Sequence, residues 1–90
     1  MTTIRELEGL VKRINYVTGN PATSYTRTAD GSFAANVGNY HLSGAYGGYA
    51  LYQMAEGGGV HDIFGGHYSK GELYSKMSAF LLGLKVRGER

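Results

Sequence analysis

The sequence contains no cysteine and only one proline among 90 residues. Disulfides therefore cannot stabilise the chain, and the lack of cysteine fits a reducing compartment. No stretch has the continuous apolar length of a membrane-spanning helix, and the N-terminal segment MTTIRELEGLVKR lacks the apolar core of a signal peptide. We therefore expect one domain over residues 1–90, located in the cytoplasm.

Charged side chains are missing from the middle of the chain. Residues 31–55 include no Asp, Glu, Lys or Arg, but they hold five glycines, four tyrosines, two asparagines and one histidine. The formal charge is only +2, and Arg27 is the one cation between the basic residues of the two ends. Nucleic-acid-binding domains usually carry a denser basic stripe. The charge therefore favours a small anionic partner and argues against duplex DNA.

The N-terminal segment predicts an amphipathic helix over about residues 4–18. Thr3 and Glu6 form a T-x-x-E capping box, Gly19 is suited to the left-handed cap conformation, and Pro21 prevents continuation. Its charged residues are expected on a solvated face. Its apolar stripe is predicted to consist of Ile4, Leu7, Leu10, Val11, Ile14 and Val17.

The C-terminal segment predicts a second helix over about residues 70–84. Ser69 and Glu72 repeat the capping-box spacing. Residues 85–90 are expected to form a frayed basic tail. The buried stripe is predicted to consist of Leu73, Met77, Phe80, Leu81 and Leu84.

Strands are expected between the helices, within residues 25–64. Alternating apolar and polar residues predict them, and tight turns are expected at Asp30-Gly31, at Gly38-Asn39 and at the break Gly47-Gly48. Strands joined in this way form an antiparallel meander, here of three to five strands. The predicted fold class is α+β, with one sheet face covered by the two terminal helices.

The central tyrosines and glycines are the main candidates for ligand binding. A tyrosine ring can stack on a base, and a glycine lets a ligand approach the backbone closely. The alternative is that these tyrosines are half-buried sheet residues, that Asn39 only forms a turn and that Arg27 is an ordinary surface residue. The predicted ligand-binding residues are Arg27, Asn36, Asn39, His41, Tyr46, Gly47, Gly48, Tyr49 and Tyr52.

No motif in the sequence predicts catalysis, a metal or a cofactor. GAYGGY matches neither the dinucleotide fingerprint nor the phosphate loop. His61, Asp62 and His67 do not have a recognised metal-ligand spacing, and no nucleophile accompanies them. We therefore expect a protein without enzymatic activity, while a small nucleotide hydrolase is the third-ranked hypothesis.

The run NYHLSGAYGGYALYQM, followed by a glycine-rich loop and the S-x-G-E-L-Y start of the last helix, resembles small proteins encoded by tailed phages and prophages. The resemblance implies a setting in the host cell cytoplasm and antagonism of host defence. It carries over no functional residue.

These observations lead to ranked hypotheses of function. The first hypothesis is that the chain is a phage-encoded anti-defence protein that binds and sequesters a small nucleotide-derived immune signal without cleaving it. The alternative is a protein-interaction module that blocks a host protein. Because the cysteine-free core is small and the chain is rich in aromatic residues, we also expect a homo-oligomer, most simply a dimer.

Overall fold

The computed structural model describes residues 2–88 and confirms the α+β fold. Five strands and a short 3₁₀ turn (Glu56–Gly58) lie between two helices. The helices and strands are α1 (Ile4–Thr18), β1 (Tyr25–Arg27), β2 (Phe33–Ala35), β3 (Tyr40–Ala45), β4 (Gly48–Met54), β5 (Val60–Asp62) and α2 (Lys70–Gly88).

Helix α1 begins and ends where its capping residues predict. The Thr3 hydroxyl accepts a hydrogen bond from the Glu6 backbone N–H at 3.2 Å, and the Thr3 N–H donates to Glu6 Oε1 at 3.0 Å. Gly19 adopts the left-handed conformation with φ of 71°. These caps satisfy backbone groups that have no partner within the helix, so the local sequence is sufficient to set both ends.

The buried stripe of α1 is narrower than predicted. Leu7, Leu10 and Ile14 are buried, whereas Ile4 and Val17 at the two ends are exposed. The helix packs against α2 and β3. Periodicity identifies the apolar face, but the positions of the neighbouring elements decide how many of its residues are covered.

Helix α2 begins at the predicted capping residue but continues beyond its predicted end. The Glu72 N–H donates to the Ser69 hydroxyl at 3.3 Å, and Leu73, Met77 and Leu81 are buried. The helix reaches Gly88, so the prediction of a frayed tail is wrong for residues 85–88. Lysine and arginine are good helix formers, which explains the continuation. Glu89 and Arg90 lie outside the described residues.

The five strands divide between two antiparallel sheets. One is a two-stranded ribbon of β1 and β2, and the other has the order β3-β4-β5. Between them, residues 36–39 form a turn in which the Asn39 N–H donates to the Asn36 carbonyl at 3.2 Å. The turn predicted at Gly38-Asn39 is therefore present, but it does not pair the strands on either side of it.

A two-residue turn joins β3 to β4 one position earlier than the predicted break. Ala45 pairs with Gly48, which leaves Tyr46 and Gly47 as the turn residues. Their φ angles are 53° and 74°. Positive φ at both positions defines the type I′ turn, whose twist matches that of two antiparallel strands.

The helices cover one face of the three-stranded sheet. Leu51 of β4 and Tyr40 of β3 lie in the core with the buried residues of α1 and α2, and Leu42 and Tyr49 pack against it. The starts of the two helices are close together, since Gly71 near the start of α2 lies beside Thr2, just before α1. Their C-terminal parts are also close, since Lys85 lines one cleft with residues from the C-terminal part of α1. The helices therefore run in the same direction. Neither described helix is long and apolar enough to cross a membrane.

The buried side chain of Asn15 joins α1 to the outer edge of β3. Its exposed fraction is 3%. Asn15 Nδ2 donates to the Tyr40 carbonyl at 2.9 Å, and Asn15 Oδ1 accepts from the Tyr40 N–H at 2.7 Å. The carboxamide thus supplies both bonds that a further strand would supply at this position.

We expect Asn15→Leu to lower the free energy of unfolding by about 2–5 kcal/mol, because it leaves two buried backbone groups without partners. Urea denaturation measures this change. Ser75→Ala, at an exposed position of α2, is the control and should stay within about 0.5 kcal/mol of the parent. A loss below about 1 kcal/mol in the Asn15 variant would contradict this account of the fold.

Candidate anion-binding cleft and the aromatic row

The structure does not gather the nine predicted ligand-binding residues in one cleft. Asn39 and His41 border one small cleft, and Gly47, Gly48 and Tyr49 border another, shallower one of about 280 Å³ near the β3–β4 turn. Arg27 lies on the separate ribbon. The prediction placed them together because they are near in sequence, but the chain divides into two sheets between them.

The two asparagines have structural hydrogen bonds in the fold. Asn39 has an exposed fraction of 1%; its Nδ2 donates to the Pro21 carbonyl at 2.7 Å, and its Oδ1 accepts from the Ser24 hydroxyl at 2.8 Å. Asn36 Nδ2 donates to the Thr23 carbonyl at 3.0 Å. These amides attach the connector after α1 to the start of β3, which leaves them little capacity for a ligand.

Gly48 has a structural reason to be glycine. A Cβ atom at this position would lie 2.9 Å from the carbonyl oxygen of Tyr68. This close approach accompanies the pairing of Tyr49 with Tyr68, in which each backbone N–H donates to the other residue's carbonyl at 2.8 Å. The absence of a side chain at Gly48 therefore makes room for the segment before α2, and this explains the glycine without a ligand.

Four aromatic rings form a continuous row beside the face of the three-stranded sheet that lies opposite the helices, where Ala50 and Met54 are buried. His41 and Tyr52 lie opposite each other on β3 and β4, with ring centroids 6.0 Å apart. Tyr52 is 6.2 Å from His67, and His67 is 5.4 Å from Tyr46 at the turn. All three contacts are edge-to-face, the arrangement that aromatic quadrupoles favour. The row was not evident from the sequence, since His67 lies outside the strands.

The histidines of this row do not form a metal centre in the described structure. His41 Nδ1 and His67 Nε2 are buried and have no hydrogen-bond partner. However, no group of three or more histidine and carboxylate side chains converges within residues 2–88 as a metal site requires. Asp62 Oδ1 instead accepts a hydrogen bond from the Gly65 N–H at 3.0 Å, which shapes the loop after β5.

Burial lowers the pKa of His41 below its ordinary value. A weaker interaction with the Asn39 backbone raises the pKa and so partly opposes the effect of burial. This interaction is not a hydrogen bond of normal geometry, because His41 Nδ1 has no such partner among the described residues. Glu8 and Lys12 of α1 border the same cleft. The neutral imidazole is therefore the form that the folded protein favours.

A large cleft lies at the C-terminal part of α1, beside Lys85 of α2, and we call it the basic cleft. Its volume is about 670 Å³. The sequence placed Lys12 and Arg13 on a solvated face, because their proximity to α2 depends on how the helices pack. The lining residues are Lys12, Arg13, Asn15, Tyr16, Val17, Asn20, Ala22 and Lys85.

The electrostatics of the basic cleft favour anions. Within residues 2–88, three of its lining residues are cationic and none is acidic. Helix C-termini carry partial negative charge. Here two of the last four carbonyls of α1 are engaged, since the Asn20 N–H donates to Asn15 O at 2.9 Å and the Gly19 N–H donates to Tyr16 O at 3.2 Å. Such bonds reduce the opposition to a bound anion.

An exposed aromatic ring borders the same cleft. Tyr16 has an exposed fraction of 86%, so its ring is available for stacking. The sequence signal was present, since Lys12, Arg13 and Tyr16 lie within five residues, but its importance depended on Lys85 reaching the same place. The basic cleft therefore combines positive charge with an aromatic surface.

A second cleft of about 270 Å³ lies between α1, the connector and the outer edge of β3, and we call it the edge cleft. It shares Lys12 and Ala22 with the basic cleft. Its lining includes a carboxylate, that of Glu8. Its lining residues are Glu8, Val11, Lys12, Ala22, Ser24, Asn39, Tyr40, His41 and Leu42.

Comparison of the chain with protein-family models, with curated proteins and with solved structures gave no match. The resemblance to small phage proteins therefore remains an expectation from the sequence.

The lowered pKa of His41 predicts a pH dependence of stability. The unfolded chain binds a proton near the ordinary pKa of 6.5, so the stabilisation from neutral His41 is present above that pH and lost as the pH falls through the lower folded-state pKa. We expect His41→Gln to reduce the loss of unfolding free energy on acidification. Denaturant unfolding on both sides of about pH 6.5 tests this.

The matched control is His61→Gln, which removes an exposed histidine from β5. This variant should retain the acid-dependent loss of the parent. If His41→Gln loses as much stability on acidification as the parent does, the burial of His41 does not govern this dependence.

Proposed function

We propose that the protein binds a small anionic, nucleotide-derived ligand in the basic cleft and sequesters it without chemical change. The observation that carries the proposal is the convergence of Lys12, Arg13 and Lys85 around a cleft bordered by exposed Tyr16. Phosphate groups bind to such cations through charge-assisted hydrogen bonds, and a base or ribose can lie against the ring.

The dimensions of the cleft suit this class of ligand. Small-molecule sites commonly have volumes of about 300–1,000 Å³, and the basic cleft has about 670 Å³. Charge-assisted contacts contribute about 1.5–3 kcal/mol each, and a base stack contributes about 1–3 kcal/mol. Three such contacts and one stack are together on the scale of the roughly 8 kcal/mol that micromolar affinity requires.

The composition of the cleft favours binding over hydrolysis. Among the described residues, its lining includes no carboxylate, histidine, serine or threonine. A water molecule bound there would therefore have no adjacent histidine or carboxylate from residues 2–88 to act as a general base. Retention of an intact ligand is the behaviour expected of such a site, and it agrees with the anti-defence role that the phage resemblance implies.

The test is titration calorimetry of the full chain against cyclic dinucleotides and ADP-ribose derivatives. We expect Arg13→Gln to weaken binding about tenfold or more, since one charge-assisted contact is worth about 1.5–3 kcal/mol and tenfold corresponds to about 1.4 kcal/mol. Tyr16→Ala should also weaken it, through loss of stacking. Arg27→Gln and Tyr46→Ala are matched controls outside the cleft and should bind as the parent does.

Recovery of the ligand after heat denaturation distinguishes sequestration from cleavage. Intact ligand supports the proposal, and a hydrolysed product supports the nucleotide hydrolase instead. If no compound of the panel binds, or if Arg27→Gln weakens binding as strongly as Arg13→Gln, the basic cleft is not the site.

A different observation favours a second candidate, contact with another protein chain through the ribbon of β1 and β2. Tyr25, Arg27 and Phe33 lie on one face of it, because Tyr25 pairs with Ala35 and Arg27 with Phe33. Phe33 has an exposed fraction of 69%. A two-stranded ribbon is only marginally stable unless another element packs against it. In the predicted homo-oligomer, a second copy of the chain would provide that packing. We propose that this face forms the dimer contact.

Sedimentation of the full chain at micromolar concentration tests the dimer. We expect a mass of about twice 9.7 kDa, and we expect Phe33→Ser to shift it towards the monomer by removing the exposed ring from the contact. Leu82→Ser, at an exposed position on α2, is the control. A monomeric parent protein would refute self-association. The exposed face of the ribbon would then favour the alternative hypothesis, contact with a host protein.

A further inference from the structure

The basic cleft and the edge cleft adjoin each other. Lys12 and Ala22 line both, so a ligand that occupied the two clefts would pass these two residues. The two ends differ in chemistry. In the part of the chain that the structure describes, the basic cleft has three cations and no acid, whereas the edge cleft contains the carboxylate of Glu8, which disfavours a phosphate and attracts hydrogen-bond donors.

The outer edge of β3 brings backbone groups to the edge cleft. In an antiparallel pair, successive residues direct their N–H and C=O alternately towards and away from the partner strand. The Tyr40 groups point away from β4, because they bond to Asn15 of α1. Leu42 lies two residues further along, so its N–H and C=O point to the same side, where the edge cleft lies.

Asn15 shows which chemical group such an edge accepts. Its carboxamide presents a donor and an acceptor side by side, and these meet the C=O and N–H of Tyr40 at 2.9 and 2.7 Å. The edges of nucleobases likewise present a donor beside an acceptor. A base at Leu42 could therefore make the same pair of bonds one strand repeat beyond Asn15.

We propose that the heterocyclic end of the ligand binds in the edge cleft by pairing with the N–H and C=O of Leu42, while its phosphate binds in the basic cleft. This inference rests on the proposed function and defines the ligand class further: a phosphorylated nucleoside with an unblocked base edge. Lys12 lies between the two ends and contacts the phosphate, and the Glu8 carboxylate accepts hydrogen bonds from the sugar hydroxyls or the base.

The experiment is amide NMR titration of the ¹⁵N-labelled full chain with inorganic phosphate, ribose 5-phosphate, AMP and UMP. All four should perturb the amides of Lys12 and Arg13. Only the two nucleotides should also shift the Leu42 amide, and they should bind at least tenfold more tightly than ribose 5-phosphate, because two hydrogen bonds are added.

Ala22→Phe tests the passage between the clefts. The larger side chain should abolish the advantage of nucleotides over ribose 5-phosphate while phosphate binding persists. Ala79→Phe, at an exposed position of α2, is the matched control and should change neither. The Leu42 amide of the parent protein supplies an independent readout if the Ala22 variant does not fold.

The outcomes separate this inference from the proposed function. If nucleotides bind no more tightly than ribose 5-phosphate and leave the Leu42 amide unmoved, the inference about the edge cleft is wrong and the anion site stands. If neither phosphate nor any nucleotide perturbs Lys12 and Arg13, both are wrong. A nucleotide-specific shift of Leu42 that Ala22→Phe removes supports both.

Discussion

The pairing of the Asn15 carboxamide with the Tyr40 backbone is the interaction on which the arrangement of the molecule depends. It attaches α1 to the sheet at a buried position, where an unpaired amide or carbonyl would cost free energy. The pairing fixes which side of β3 the helix occupies and therefore where the edge cleft opens. It also allows the C-terminal half of α1, with Lys12, Arg13 and Tyr16, to stand beside α2 as part of the basic cleft.

Several residues that the sequence suggested as ligand contacts have structural roles in the fold. Asn36 and Asn39 hold the connector against the start of β3 through hydrogen bonds to the backbone and to hydroxyl groups. Gly48 gives room to the segment before α2. Once such structural bonds are satisfied, the groups left for a ligand are those at the rims of the clefts: cations on the helices, the exposed ring of Tyr16 and the outward backbone groups of β3.

The sheet face opposite the helices and the clefts differ in chemical character. The row of His41, Tyr52, His67 and Tyr46 is held by edge-to-face ring contacts, and burial there favours neutral His41. Positive charge is concentrated instead at the basic cleft. That cleft shares Lys12 and Ala22 with the edge cleft, which His41 borders. The positive charge that an anionic ligand would require therefore lies on the helices, although the tyrosine-rich strands contain more aromatic residues.

The local features of this protein were determined by the sequence itself. Capping residues and a left-handed glycine set the ends of α1, and turn residues and alternation identified the strands, because each signal acts within a few residues. Tertiary structure decided the rest: the division into two sheets, the extension of α2, the burial of Asn39 and the meeting of Arg13 with Lys85. These features arise from packing between segments distant in sequence, and neither local propensity nor periodicity contains that information.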